Sequence, residues 1–160
     1  VTGVQTCALP ISEIQNELKE KIEIRFLPNN YGHEVYLQLK DTLPDIYILS
    51  DPDLELNDNM PEFFSVDFLE LSNKYEKYKT GSALLIDDPN IVQEFYDSEK
   101  KYWDRRIEND EYELYESDLD TTFCLINNKY KGVNKYSGIR VAGNFTAKHL
   151  PWYKDYSKKS

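Results

Sequence analysis

Asp45-Ile-Tyr-Ile-Leu-Ser-Asp51-Pro-Asp53 joins an apolar run to two carboxylates. Residues 46–49 are apolar or aromatic throughout, which predicts a strand that is buried on both faces. Pro52 has a fixed φ and no backbone N–H, so the strand must end before it. Asp51 and Asp53 would then lie at the carboxyl end of a buried strand, where open α/β sheets form their ligand crevice.

The two carboxylates supply hard oxygen ligands, which suit a divalent cation that also holds phosphate oxygens. An ordinary polar turn after a strand is a second interpretation. A third is an EF-hand calcium loop, whose positions 1, 3, 5 and 12 would be Asp51, Asp53, Glu55 and Glu62. Position 6 of such a loop needs glycine for its sharp turn, and here it is Leu56. The calcium loop is therefore the weakest of the three.

The 160-residue chain is long enough for one domain with its own core. Its formal net charge is −10 and the sequence has no basic face, which argues against nucleic acid as the main partner. No apolar run approaches the roughly 18 residues that span a bilayer, so we expect no transmembrane segment. Cys7 and Cys124 form neither a metal motif nor a disulfide framework. A reducing compartment fits, and we expect a cytoplasmic protein, with the periphery of the inner membrane as an alternative location.

Residues 1–11 read codon by codon as the translation of a common sequencing-library adapter. They lack the positive segment and the apolar core of a signal peptide. We therefore expect native sequence to begin near Ser12 and the true N-terminus to be missing, which genomic reads continuous across Ile11 would contradict. The expected organisation is an artefactual segment at 1–11, a partial domain at 12–155 and a polar tail at 156–160.

Strands alternate with helices along the rest of the chain, which predicts an α/β sandwich. The predicted strands are residues 22–26, 46–49, 83–86, 121–126 and 138–141. Two long helices are predicted, one from about residue 59 to 78 and one from residue 87 onward. Thr80-Gly-Ser82 is interpreted as a break between helix and strand, and the highly charged residues 105–116 as a loop that crosses the sheet edge.

Glu99 interrupts the apolar face of the second predicted helix. It follows Phe95 by four positions and precedes Trp103 by four, so the three side chains share one face. A carboxylate in such a place must be paired, protonated or functional, unless the helix end tips it towards solvent. Arg140 is one candidate partner, and water or a substrate hydroxyl are the others.

Five motifs together resemble a bacterial glycosyltransferase family with the GT-A fold, related to family 2 glycosyltransferases. The resemblance covers roughly residues 24–155. Its motifs are Leu27-Pro-Asn-Asn30 with Gly32, Tyr47-Ile-Leu-Ser-Asp-Pro-Asp53, Lys79-Thr-Gly-Ser-Ala-Leu-Leu-Ile-Asp-Asp-Pro89, Leu119-Asp-Thr-Thr-Phe123, and Arg140 with Ala147-Lys-His-Leu-Pro-Trp-Tyr153. Two departures are visible, and the more serious is that the family's opening strand–helix–strand, which helps to cradle the nucleotide base and ribose, is absent. The family usually carries Trp-Glu before a Phe-Trp pair, where this chain has Ser98-Glu99 and Tyr102-Trp103.

The resemblance implies a GT-A-like nucleotide-diphospho-sugar transferase sandwich, with a mixed sheet, helices on both faces and the first strands missing. It implies transfer of a sugar from a nucleoside-diphosphate sugar donor to a hydroxyl of a glycan or another acceptor, with inversion by analogy. The Asp-x-Asp signature would hold Mn²⁺ or Mg²⁺ through Asp53 first and Asp51 second. His149 would complete the site, with an ordinary polar contact as its alternative role. A non-catalytic domain that binds a nucleotide sugar or calcium is the alternative.

The resemblance also implies roles for residues around the metal. Asp120 is the candidate general base, because an acceptor hydroxyl must lose its proton as it attacks. A helix-cap or turn role is the alternative. The candidate donor-binding or acceptor-binding residues are Asn30, Glu99, Arg140 and Trp152. Arg140 and Lys148 would contact phosphates or lie on a solvated surface. Trp152 would stack on a sugar or anchor the C-terminal loop, and the anchor is the favoured role.

Overall fold

The computed structural model describes residues 27–29, 31–39, 41–119, 122–132 and 137–154. In this part of the chain the strands are β1 Ile46–Ser50, β2 Leu54–Leu56, β3 Lys79–Ser82, β4 Arg106–Ile107, β5 Leu114–Asp118, β6 Phe123–Asn127, β7 Ser137–Val141 and β8 Ala147–His149, and the α-helices are α1 Phe64–Tyr75 and α2 Gln93–Lys100. The segments at 1–11 and 156–160, the predicted strand at 22–26, and the site residues Asn30 and Asp120 lie outside the described residues.

Six strands form one sheet in the order β1-β6-β3-β7-β5-β4, and β2 and β8 form a separate two-stranded ribbon. The β3–β7 pair is parallel and the other pairs are antiparallel. The protein is therefore a mixed α/β structure with a mostly antiparallel sheet. Helices on both faces were expected, but helices are few in the described residues, where the α-helices have twelve and eight residues. None of these helices is long and apolar enough to cross a membrane.

The strand β1 differs from the expectation that it is buried on both faces. Leu49 is buried, but Ile46 is 43% exposed. Among the described strands β1 has one neighbour, β6, which it meets in antiparallel register from Ile46 opposite Asn127 to Ser50 opposite Phe123. A strand at a sheet edge is covered less completely than a central one, which explains the difference.

Thr80, Gly81 and Ser82 do not break the chain, as the sequence predicted, but form the buried strand β3 between β6 and β7. Gly81 is required by the closeness of β6. A Cβ at this position would lie 2.2 Å from the carbonyl oxygen of Phe123 and 2.6 Å from the Cα of Cys124. A glycine inside a strand marks such a close backbone approach, and here it was mistaken for a turn signal.

The predicted loop at 105–116 was also wrong, because this stretch contains β4 and the start of β5. The pairing of Arg106 with Tyr115 places β4 at the edge of the sheet. Edge strands carry charged side chains because one side faces water, and those charges hid the strands from the sequence pattern. Residues 83–86, predicted as a strand, instead make a single bridge between Leu84 and Ala147.

The main core lies between α1 and one face of the six-stranded sheet. Phe68 and Leu71 of α1 contact a set of buried residues on β5, β6, β7 and the following turn, namely Leu114, Phe123, Leu125, Ile139, Val141 and Phe145. The helix ends before the expected residue 78 because Glu76 adopts a left-handed conformation with φ of 52°. The N–H of Lys77 then donates to the carbonyl of Ser72 at 3.0 Å, which closes the helix end.

Candidate metal centre

The β2–β8 ribbon brings two distant parts of the chain together. Leu54 lies opposite His149 in its antiparallel register. The pairing extends one step further, because the N–H of Leu150 donates to the carbonyl of Asp53 at 3.0 Å. At the other side of this turn, the N–H of Asp51 donates to the carbonyl of Thr122 at 2.8 Å, just before β6. Both aspartates are therefore fixed through their backbones.

The side chains of Asp51, Asp53 and His149 converge. One ligand atom from each lies within 4.8 Å of the others, and Nε2 of His149 is 3.4 Å from Oδ1 of Asp53. The side chains of His149 and Asp53 are 20% and 35% exposed, so the cluster opens to solvent on one side. The three residues assigned to a metal by resemblance are thus brought together.

The spacing and chemistry of this cluster fit one divalent cation. Opposed ligands around Mg²⁺ are about 4.2 Å apart, and around Ca²⁺ up to about 5.2 Å, from their usual bond lengths. The three ligand atoms lie within 4.8 Å of one another, which is inside the span of opposed Ca²⁺ ligands and wider than that of opposed Mg²⁺ ligands. Two carboxylates and one imidazole favour Mn²⁺ over Mg²⁺, because nitrogen ligands suit the transition metal better.

The EF-hand interpretation does not agree with the structure. The candidate loop is preceded by a strand, β1, and its middle is the strand β2. Glu55 and Glu62 are exposed, whereas the group that converges on Asp51 and Asp53 contains a histidine from β8. This stretch is therefore not a calcium-binding helix-loop-helix.

The imidazole of His149 is oriented by packing. Its buried Nδ1 has no hydrogen-bond partner among the described residues. Metal-binding histidines usually donate this second N–H to a carbonyl or carboxylate, which fixes the ring. Here the ring contacts the indole of Trp152 edge to face, with centroids 4.8 Å apart at 84°. Trp152 in turn stacks on Phe95, with centroids 5.4 Å apart and an angle of 6°. These two contacts favour the anchoring role of Trp152.

Glu99 and Arg140 form an ion pair on the sheet face opposite α1, which confirms Arg140 as the partner of Glu99. Each residue is 3% exposed. Nε of Arg140 donates to the carbonyl of Asp118 at 2.9 Å, and the guanidinium lies over the ring of Tyr102 at 4.4 Å. A binding role for either member of the pair stays a prediction.

Lys148 contacts a carboxylate instead of standing free. Its Nζ lies 2.7 Å from Oδ2 of Asp88. The hydrogen bond from Lys148, and a second one from the backbone N–H of Asn90, hold the pKa of Asp88 below its usual range. Because Lys148 and His149 are consecutive in a strand, their side chains leave on opposite faces of the ribbon. The expected phosphate contact of Lys148 stays a prediction.

Two residues that the sequence did not single out support this site. Phe95 was noted only as a residue on the apolar face of the second predicted helix. Its position one turn before Glu99 could have indicated a role near the site. Asp88 entered only as part of the Lys79–Pro89 motif and of the helix predicted from residue 87 onward. The three-residue cluster and its surroundings are the basis for a function, since no protein-family model, curated protein or solved structure matches this chain.

Proposed function

We propose that this chain is a glycosyltransferase domain, or part of one, that moves a sugar from a nucleoside-diphosphate sugar to an acceptor hydroxyl. The observation that supports the proposal is the convergence of Asp51, Asp53 and His149 at the ends of β1 and β8. A GT-A-like arrangement, a cytoplasmic location and a glycan or other hydroxyl acceptor belong to the same proposal and rest on the sequence resemblance.

The chemistry of the cluster suits a reaction in which a diphosphate departs. When bound, Mn²⁺ or Mg²⁺ supplies positive charge where negative charge develops on the leaving group. The protein would contribute two carboxylates from residues whose backbones are fixed by hydrogen bonds, and an imidazole held by aromatic packing. Ligands that are already oriented lose little freedom when the cation and the donor bind.

Asp120 is the proposed general base on the strength of the sequence resemblance, and described residues on either side of it form hydrogen bonds with neighbouring segments. Thr122 accepts a hydrogen bond from the N–H of Asp51. The carbonyl of Leu119 accepts one from Nζ of Lys79 at 3.0 Å, and that of Asp118 accepts one from Arg140. The chain on both sides of Asp120 is thus tied to neighbouring strands.

Titration of uridine diphosphate into the protein with and without Mn²⁺ tests the proposal. We expect binding that requires Mn²⁺, because the phosphates would meet the acidic cluster through the cation. Binding that is independent of metal, or a response to Ca²⁺ alone, would instead indicate a non-catalytic nucleotide-sugar or calcium-binding domain.

Asp120→Asn separates binding from chemistry. A general base acts after the donor is bound, so the variant should retain Mn²⁺-dependent nucleotide binding while turnover falls about 10²–10⁴-fold. Release of uridine diphosphate from the sugar donor gives the turnover. Loss of nucleotide binding in this variant would place Asp120 in the metal or ribose site and contradict its assignment as base.

A further inference from the structure

Helix α2 connects the candidate metal centre around His149 with the buried Glu99–Arg140 ion pair. Its N-terminal end meets the segment after His149, where the N–H of Val92 donates to the carbonyl of Trp152 at 2.8 Å. Its C-terminal end carries Glu99, which pairs with Arg140 in the middle of the sheet. The helix is thus fixed at both ends.

Two side chains one helical turn apart make these contacts. Phe95 stacks on Trp152 and Glu99 binds Arg140, and residues four apart lie on the same side of a helix. The Glu99 carboxylate is almost completely buried, so breaking its pairing would leave a charge inside the protein. The ion pair therefore resists any rotation of α2 that would carry Phe95 away from Trp152.

The imidazole of His149 depends on this arrangement because it has no second hydrogen bond of its own among the described residues. Its ring contacts Trp152, and Trp152 also stacks on the ring of Phe95. Because the indole is held flat against Phe95, the angle between the indole and the imidazole is fixed. The backbone bond from Val92 to Trp152 sets the distance of the helix from this segment.

We propose that Phe95 is a positioning residue for His149. It acts through Trp152 and is itself held by the Glu99–Arg140 pair one turn further along α2. The aromatic stack takes the place of the hydrogen bond that usually orients a metal-binding imidazole. The consequence for metal affinity rests on the proposed function, whereas the orientation of the ring can be measured without metal.

The test compares Phe95→Leu with the unchanged chain by NMR and by Mn²⁺ titration. The chain has two histidines, His33 and His149, so His33→Gln assigns the imidazole proton signals. An imidazole held 4.8 Å from an indole is shifted by the ring current, and Phe95→Leu should remove most of that shift. Mn²⁺ affinity should fall about tenfold, the lower end of the range for residues that orient metal ligands.

The controls separate positioning from simple loss of packing. Phe95→Tyr keeps the stacked ring and should restore both the His149 signals and the Mn²⁺ affinity. Phe63→Leu makes the same chemical change at a side chain that is 69% exposed and should alter neither. If Phe95→Leu does not fold, Phe95→Met fills the same space without a ring and is judged by the same two measurements.

Unchanged His149 signals in a folded Phe95→Leu protein would overturn the positioning role, whatever the metal does. Shifted signals with unchanged Mn²⁺ affinity would overturn it too, since the ring orientation would not matter for binding. A chain that binds no Mn²⁺ but loses the ring-current shift in Phe95→Leu, and regains it in Phe95→Tyr, would contradict the proposed function while supporting the positioning of His149.

Discussion

Leu54 lies directly opposite His149 in the β2–β8 ribbon. Successive side chains of a strand leave on opposite faces, so a slip of one residue would move the imidazole to the other side of the ribbon. Depending on the direction of the slip, Lys148 or Leu150, which offers no ligand atom, would then lie opposite Leu54. A lysine there would repel a cation, and the register of this short ribbon is therefore a condition for any metal site at Asp51 and Asp53.

Replacing Asp53 should remove metal binding without unfolding the protein. Asp53 contributes a carboxylate oxygen 3.4 Å from Nε2 of His149, yet its side chain is 35% exposed and adds little to the core. In Asp53→Ala we expect Mn²⁺-dependent nucleotide binding to disappear and the free energy of unfolding to change by roughly 1 kcal/mol or less. Calorimetric titration and urea unfolding measure the two quantities.

Asp58→Ala is the matched control for this experiment. Asp58 is an exposed carboxylate near the cluster in sequence and is outside the group that converges with His149. The Asp58→Ala protein should bind nucleotide and Mn²⁺ as tightly as the unchanged chain does. Full Mn²⁺ affinity in Asp53→Ala would refute the assignment of this residue as a ligand.

Glu99→Gln tests how strongly the buried ion pair stabilises the fold. The substitution keeps the shape of the side chain but leaves the Arg140 guanidinium with an uncompensated charge in the interior. We expect a loss of about 3–5 kcal/mol in the free energy of unfolding. Urea unfolding should show a small effect for Glu94→Gln, an exposed glutamate on the same helix.

A double variant adds a second criterion. The double variant Glu99→Leu/Arg140→Met removes both charges. Its free energy of unfolding should therefore fall less than that of Glu99→Gln alone. If Glu99→Gln costs less than about 1 kcal/mol, the range of exposed ion pairs, then the pair is not a buried stabilising contact.

Gly81→Ala should destabilise the sheet, because the added Cβ would meet backbone atoms of β6 at 2.2 and 2.6 Å. Backbone atoms in a paired strand cannot move aside without breaking hydrogen bonds, so we expect the free energy of unfolding to fall by about 3 kcal/mol. Thermal unfolding measures this change in stability. Ser82→Ala in the same strand is the control, since the buried Oγ of Ser82 has no hydrogen-bond partner among the described residues and its removal should be nearly neutral. A Gly81→Ala protein as stable as this control would contradict the close approach of β3 and β6.

The Asp88–Lys148 pair should make stability depend on pH in acid. The hydrogen bond from Lys148 lowers the pKa of Asp88 in the folded protein, so the pair stabilises the fold above the unfolded pKa of about 3.9. This contribution is lost as the pH falls through the folded pKa. Asp88→Asn should therefore be less stable than the unchanged chain at pH 7, by about 1 kcal/mol or less. The difference should shrink below about pH 4, and a difference that stays constant from pH 7 to pH 3 would rule out this role.

The sequence indicated the candidate site better than it indicated the sheet. Asp51, Asp53 and His149 were assigned together because the motifs that contain them resemble those of a glycosyltransferase family, and the structure brings the three side chains together. The sheet depends on neighbours that a local pattern does not contain. Gly81 looked like a turn residue because its reason for being glycine lies on β6, and the charges around Arg106 looked like a loop because β4 lies at an edge.

Helix α2 illustrates the same limit. Its apolar face and the position of Glu99 were visible in the sequence, and so was Arg140 as a candidate partner. The contact between Phe95 and Trp152 was not, because it depends on how the segment after β8 returns to the start of the helix.

The order of strands in the large sheet also bears on how fast the chain folds. β1 pairs with β6, with Ile46 opposite Asn127, and β3 pairs with β7, with Lys79 opposite Gly138. Among the described strands of this sheet, β4 and β5 are the consecutive pair that also lie side by side. The chain must close long loops before the other pairs gain any contact, and that entropy raises the barrier. Refolding followed by stopped-flow fluorescence would therefore occur on the order of milliseconds to seconds, with most of the sheet forming late.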